Sequence, residues 1–380
     1  YKRQIWYPTV LTFGAVSIAF IGMDQTHDMS LASNKMFTLI VVLAIYWIAT
    51  FISLRGLDWV GKISKWGGMI GTIIPAALLI VLGGVYIATG GHNNMDMSQS
   101  FFPDLTKLDN LVLASGIFLF YAGMEMMGIH VMEVKDPARN YPRAIIIGSL
   151  ITVCIFVLGT FSLGFIIPAK DINLTQSLLI GFDNYFKYLH MSWASPVIAI
   201  ALMFGVLAGV LTWVAGPSKG IFAVGKAGYL PPFFQKTNRN GVQRNILLIQ
   251  GGLVTLLSLL FVVMPSVQSF YQILSQLTVL LYLIMYMLMF AAAIVLRYKM
   301  KDLNRPFRLG KGNGMMWLLG GLGFCGSLLA FVLSFIPPGQ IAVGSNTVWF
   351  SVLIIGCLVV VTAPFIIYAM RKPSWKDPKA

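Results

Sequence analysis

Apolar residues in this 380-residue chain neither alternate nor recur at short intervals; they run on in long blocks separated by short polar gaps. Ten blocks can be read: Ile5–Ile21, Met36–Ile52, Trp66–Ala88, Leu111–Met132, Ala144–Ile167, Ser195–Phe222, Ile246–Val263, Phe270–Leu296, Trp317–Ile336 and Val348–Met370. Each is near the roughly 20 residues that an α-helix needs to cross ~30 Å of hydrocarbon. The bilayer core offers exposed backbone no hydrogen-bond partner, so blocks of this kind cross it as helices. The pattern predicts an all-α polytopic membrane protein with about ten transmembrane helices and no soluble domain. The gaps Thr89–Asn110 and Ala169–Ala194 suit short surface helices, and Ala223–Asn245 carries turn chemistry in Gly228, Pro231, Pro232 and Asn240-Gly241.

Charge gives the topology its orientation. Of the 27 Lys and Arg, 22 fall at the N-terminus or in alternate gaps and Lys219 lies at the end of the sixth block beside one of them, the exceptions being Lys35, Lys107, Lys170 and Lys187. Basic loops stay in the cytoplasm, so both ends are expected there. A net charge of +14 would suit nucleic acid on a soluble surface, but here it lies on one side of a bilayer, facing an anionic leaflet. No nucleic-acid partner is expected. With 57% hydrophobic and 11% charged residues and a mean hydropathy of +0.80, an ordinary soluble domain is excluded. Cys154, Cys325 and Cys357 all lie within blocks, without metal-ligand spacing or an outer-loop pair, and read as buried packing residues. Neither a metal site nor a cofactor is expected. No cleavable signal peptide is visible. The chain opens on Tyr1 and its first block starts at once, which reads as a fragment without its N-terminal spans; Tyr1 to Gln4 read as foreign to it.

Three blocks carry helix-weakening residues near their middles. These are Phe120–Gly128 (F-Y-A-G-M-E-M-M-G), Phe204–Pro217 in the sixth block, and Gly67, Gly68, Gly71 and Pro75 in the third. Glycines also let helices approach closely. Glu125 stands apart as the one acid well inside a block, where a carboxylate costs at least a few kcal/mol unless it faces protein or a solvated cavity. It reads as a substrate-site or gating carboxylate beside a broken helix, or as a structural bond to a neighbouring helix. His130 reads as an interfacial histidine. Trp213, away from the interfacial belt, either stacks on a substrate's aliphatic stem or fills a helix contact. Tyr282 and Tyr286 share a helical face and either line a pore or tie helices together. In H-V-M-E-V-K-D-P-A-R-N-Y-P-R-A, Pro137 and Pro142 are expected to enforce a turn, with Glu133, Arg139 and Arg143 able to form an ion-paired latch.

Three of these segments resemble the amino acid–polyamine–organocation (APC) transporters, in particular the glutamate/γ-aminobutyrate antiporter group. They are E-V-K-D-P-A-R-N-Y-P-R-A at Glu133–Ala144, G-P-S-K-G-I-F-A-V-G-K-A-G-Y-L-P at Gly216–Pro231, and F-Y-A-G-M-E at Phe120–Glu125. The resemblance runs through nearly the whole chain. It implies a five-plus-five inverted-repeat fold lacking its first two helices, with residues 1–380 forming a single transmembrane transporter domain of family helices three to twelve. By that resemblance Glu125 is the gating glutamate of an unwound helix and Tyr121, Ala122, Gly123 and Met124 its adjoining backbone. Trp213 is an aromatic that stacks on substrate, Tyr7 a substrate-facing counterpart, and Tyr282 and Tyr286 belong to a flanking helix. Two departures bear on specificity. Glutamate-exchanging relatives carry a carboxylate where this chain has Gly209, and proton-coupled relatives carry a mid-helix lysine where the third block has none after Lys65.

The expected function is secondary active transport by alternating access. Most directly this is antiport of an amino acid such as glutamate against γ-aminobutyrate or another amino acid or amine; the alternative is a proton-coupled symporter or uniporter of the same family. An enzyme is not expected, because no paired acids, H-E-x-x-H or Ser/His set accompanies Glu125, and no selectivity-filter motif suggests a channel. The expected partners are a small amino-acid substrate and the lipid bilayer, with a homodimer compatible with both. The expected location is multi-pass in a bacterial inner (plasma) membrane.

Overall fold

A computed structural model describes residues 2–96, 98, 104–123, 125, 128, 131, 134–303, 305, 307–308, 310, 312–339 and 345–376. Among them are fourteen α-helices and no strand. Eight helical stretches are long and apolar enough to span a bilayer. These are α3 (Lys35–Leu54), α4 with α5 (Leu57–Gly68, Ile74–Ala88), α7 (Pro137–Ile166), α9 (Ala194–Val224), α10 with α11 (Arg244–Ser258, Leu260–Val263), α12 (Val267–Lys299), α13 (Asn313–Leu333) and α14 (Asn346–Ala369). The first and fourth blocks give shorter apolar helices within α1 (Lys2–Ala19) and α6 (Leu108–Tyr121). Two further helices, α2 (Gln25–Ser33) and α8 (Ser177–Tyr188), lie in gaps.

Helix starts follow side chains that can accept from free N–H groups. Asp24 Oδ1 accepts from Thr26 and His27 at the start of α2, Asn34 Oδ1 from Met36 and Phe37 at α3, and Ser266 Oγ from Ser269 at α12. The short α1 lies at the centre. Tyr7, Leu11 and Ala15 are fully buried in one core with Tyr46 of α3, Leu211 and Val214 of α9, Leu247 of α10, and Leu274 of α12. Outward faces are apolar too: Ile146, Ile147, Leu150 and Ile151 of α7 are all more than half exposed. Such a belt needs lipid against it.

Glycine shapes the crossing of α4–α5 on α9. A Cβ on Gly71 would collide with the backbone of Gly205 and the carbonyl of Ala201, and one on Gly205 would collide with the backbone of Gly71. Beside this contact Pro75 has no N–H for the carbonyl of Gly71. The chain absorbs the mismatch in a turn of π-helix at Met69–Ile73.

Phe204–Pro217, whose residues read as helix-weakening, is not interrupted, since α9 runs unbroken past Pro217. Sequence expectations are corrected at several other points. Pro137 and Pro142 do not lie in a turn but in the first two turns of α7. Pro137 sits at N1, where its missing N–H is harmless, after Asp136 at φ 47°. The helix in Ala169–Ala194 is not superficial: α8 buries Leu179, Phe182, Tyr185 and Phe186 in a second core, and the Tyr185 hydroxyl donates to the carbonyl of Ser162. Between Ala88 and Leu108 the described residues form no helix, and residues 97 and 99–103 of that gap lie outside the described residues. Of the cysteines only Cys357 is buried; Cys154 and Cys325 lie on outward faces of α7 and α13, and all three are free.

Candidate functional site

The interruption expected in the fourth block is present. α6 ends at Tyr121, and Ala122 and Gly123 form a turn in which Gly123 has φ 113°, a region that disfavours any side chain. Ending a helix inside a bundle frees backbone groups that must find other partners. The Gly123 N–H finds two acceptors, Glu125 Oε2 at 2.9 Å and the Tyr286 hydroxyl at 3.2 Å. That hydroxyl in turn donates to Glu125 Oε2 at 3.0 Å. Glu125 thus bonds back onto the break and across to α12, with one oxygen engaged. The other, Oε1, is buried and has no hydrogen-bond partner among the described residues.

Trp213 of α9 closes one side of this turn. Its Cζ2 and Cη2 lie 3.2 Å from where a Cβ on Gly123 would stand, so both backbone angle and ring exclude a larger residue there. The indole is half-buried, with Trp6 tilted against it at 5.4 Å between centroids. Gly209, one turn before Trp213 on α9, has open space where a side chain would project. Tyr7 plays a different part from the substrate-facing one expected. It is fully buried, and its hydroxyl donates to the backbone carbonyl of Trp213 at 2.7 Å. In an α-helix that carbonyl would accept from residue 217, which is proline. Tyr7 supplies the proton that Pro217 lacks, which is how α9 passes a proline unbroken.

Next to Tyr286, α6, α12 and α13 bound an open, largely apolar groove of about 310 Å³, lined by Phe118, Tyr121, Tyr286, Phe290, Leu322 and Ser327 among others. Tyr121 faces it from α6 and meets Phe156 of α7 edge-on at 5.8 Å. Tyr282, buried, lies 5.9 Å from the Tyr286 ring, one turn earlier on α12. The structure therefore gathers Tyr121, Ala122, Gly123, Glu125, Trp213 and Tyr286 around one break, with Tyr282 and Gly209 adjoining. Met124, His130 and Glu133 lie outside the described residues. Pro137, Arg139, Pro142 and Arg143 form a separate, cytoplasmic group at the start of α7, where both arginines are exposed. Sequence reasoning missed Phe118 and Phe290. Their signal was spacing: three residues before Tyr121 and four after Tyr286, hence on the same helical faces.

A bundle of lipid-facing helices with one helix broken inside it, and a carboxylate folded onto the break, defines a polytopic membrane transport protein rather than an enzyme. The family described as amino acid permease matches residues 5–360, and this chain belongs to it. A glutamate/γ-aminobutyrate antiporter of Lactococcus lactis is 34% identical over 99% of this chain and 75% of its own length. An uncharacterised transporter of Legionella pneumophila is 33% identical over 93% of this chain and 75% of its own. A probable agmatine/putrescine antiporter of Lactococcus lactis is 25% identical over 88% of this chain and 72% of its own. The protein is accordingly a multi-pass integral protein of a bacterial plasma membrane that transports amino acids.

Proposed function

We propose that the protein is an antiporter that exchanges an amino acid for another amino acid or amine by alternating access, with residues 1–380 acting as one transport domain. The observation that carries this reading is the buried Oε1 of Glu125, without a hydrogen-bond partner among the described residues, beside the freed backbone of the α6 break. A charged zwitterion cannot enter hydrocarbon, so its site must replace its hydration shell. Interrupted helices do so with backbone groups that have no helical partner, and Glu125 adds an acceptor for an ammonium group. Trp213 offers an apolar plate over the turn, and the open space at Gly209 leaves room for a substrate side chain. Relatives named for glutamate/γ-aminobutyrate and agmatine/putrescine exchange support antiport.

Proteoliposomes loaded with unlabelled glutamate, γ-aminobutyrate, arginine or a neutral amino acid should drive saturable uptake of labelled substrate against the load. Glu125→Gln keeps the bond from Gly123 but loses the charge. Turnover should fall at least tenfold while thermal stability in detergent changes little. Uptake that ignores the internal load would refute exchange, and unchanged rates for the variant would remove Glu125 from the mechanism.

A further inference from the structure

Helix α4 has two unlike faces. One side is given to protein: Val60 is buried, Ile63 packs on the core, Ser64 Oγ donates to the carbonyl of Ala208 at 3.3 Å, and Gly67 leaves no space before Ala208. The other side carries Trp59 and Trp66, 56% and 58% exposed, with an exposed Lys62 between them. At 3.6 residues per turn these three fall within an arc of about 60°. The arc continues into Met69, Ile70 and Ile73, all exposed and apolar. Lys65 stands at its edge, its Nζ 5.9 Å from the Trp66 ring centroid, and Arg55 is exposed just before the helix.

Three arginines on this side of the bundle are engaged by protein. Arg297 donates to the carbonyls of Gly310 and Gly312, Arg305 to those of Leu296 and Met300, and Arg371 lies over the ring of Tyr368. Lys62 has no ion pair or hydrogen bond among the described residues, and the neighbouring Asp58 does not pair with it. The two indoles are roughly 10 Å apart along the helix axis. That separation covers the ~5–7 Å headgroup layer on one side of a bilayer. Indoles favour that layer, and a free ammonium held between them there faces lipid phosphate.

We propose that the Trp59–Lys62–Trp66 face of α4, with Lys65 and Arg55 at its rim, binds the headgroup of an anionic phospholipid of the cytoplasmic leaflet. Its acyl chains lie along Met69, Ile70 and Ile73. The site is separate from the α6 break and stands whether or not the transport reading does.

The test is native mass spectrometry of the purified full chain titrated with phosphatidylglycerol and, separately, phosphatidylcholine. Phosphatidylglycerol should be retained in preference, and its tightest site should weaken about fivefold for each lysine removed in Lys62→Gln and Lys62→Gln/Lys65→Gln. Lys299→Gln/Lys301→Gln, elsewhere on the same side, should leave that site unchanged. Equal retention of the two lipids would overturn the proposal, as would equal losses in both double variants. Displacement of the lipid by excess inorganic phosphate would also overturn it, reassigning the site to a free anion.

Discussion

Removing one oxygen, in Tyr7→Phe, tests whether Tyr7 stands in for the proton that Pro217 cannot give. The phenyl ring can keep the edge-on contact of Tyr7 with Tyr46, 5.2 Å between centroids, so the change isolates the hydroxyl. Tyr7 is fully buried, and its hydroxyl donates to the Trp213 carbonyl. Leaving a buried acceptor unserved costs about 1–3 kcal/mol. Pro217→Ala restores an amide at the position that ordinarily serves that carbonyl, so the double variant Tyr7→Phe/Pro217→Ala should recover most of the loss. The coupling energy between the two sites should then equal roughly the same 1–3 kcal/mol. Reversible unfolding of the four proteins in mixed detergent, followed by tryptophan fluorescence, measures it. Additive effects, with coupling below about 0.5 kcal/mol, would refute the substitution of hydroxyl for amide.

Other outcomes follow from packing and charge. Gly71→Ala forces a methyl group into the backbone of α9 and should cost about 1–3 kcal/mol or more, whereas Gly68→Ala, which meets open space, should be near neutral; equal melting shifts would disprove the backbone contact. Burial pushes the Asp28 carboxyl above its ordinary value of 3.8, with Asp24 and Asp183 adding to the rise and His27 opposing it. A carboxyl raised by folding favours the native state below its unfolded pKa, and that contribution is lost as pH rises through the folded value. Asp28→Asn should therefore melt higher than the parent near pH 7, with the difference closing toward about pH 4. A constant difference across that range would show that Asp28 is not the titrating group.

The transmembrane plan was legible because hydrocarbon imposes one simple demand, satisfied backbone, and block length together with the side of the basic residues answers it. What the sequence concealed was how particular residues meet that demand. Gly123 and Pro217 both read as weak points, yet only Gly123 ends its helix. The difference lies in Tyr7, some two hundred residues away in sequence, and no local pattern could pair it with the Trp213 carbonyl. The family resemblance implied a substrate-facing Tyr7, and in the structure it is buried with its hydroxyl on the Trp213 carbonyl. Likewise Pro137 and Pro142 carried a turn signal that a helix N-terminus uses equally well.

Two helices that meet where Trp213 lies against Gly123 thus resolve an interrupted ladder in opposite ways. In α9 the missing bond is replaced by a hydroxyl from the most deeply buried helix, α1, which is itself packed on α3, α10 and α12. Breaking that replacement would leave the Trp213 carbonyl without the donor that Pro217 cannot supply. In α6 the freed Gly123 amide is held by Glu125 and Tyr286, side chains that can rotate, and by Glu125 through one oxygen only. A ligand ammonium that drew Glu125 toward itself would loosen this bond without stranding the amide, because the Tyr286 hydroxyl remains. The α6 turn can therefore exchange partners at low cost while α9 cannot. If Glu125 gates the site as proposed, partner exchange at the Gly123 amide, beside Trp213, is the step that this geometry makes cheapest.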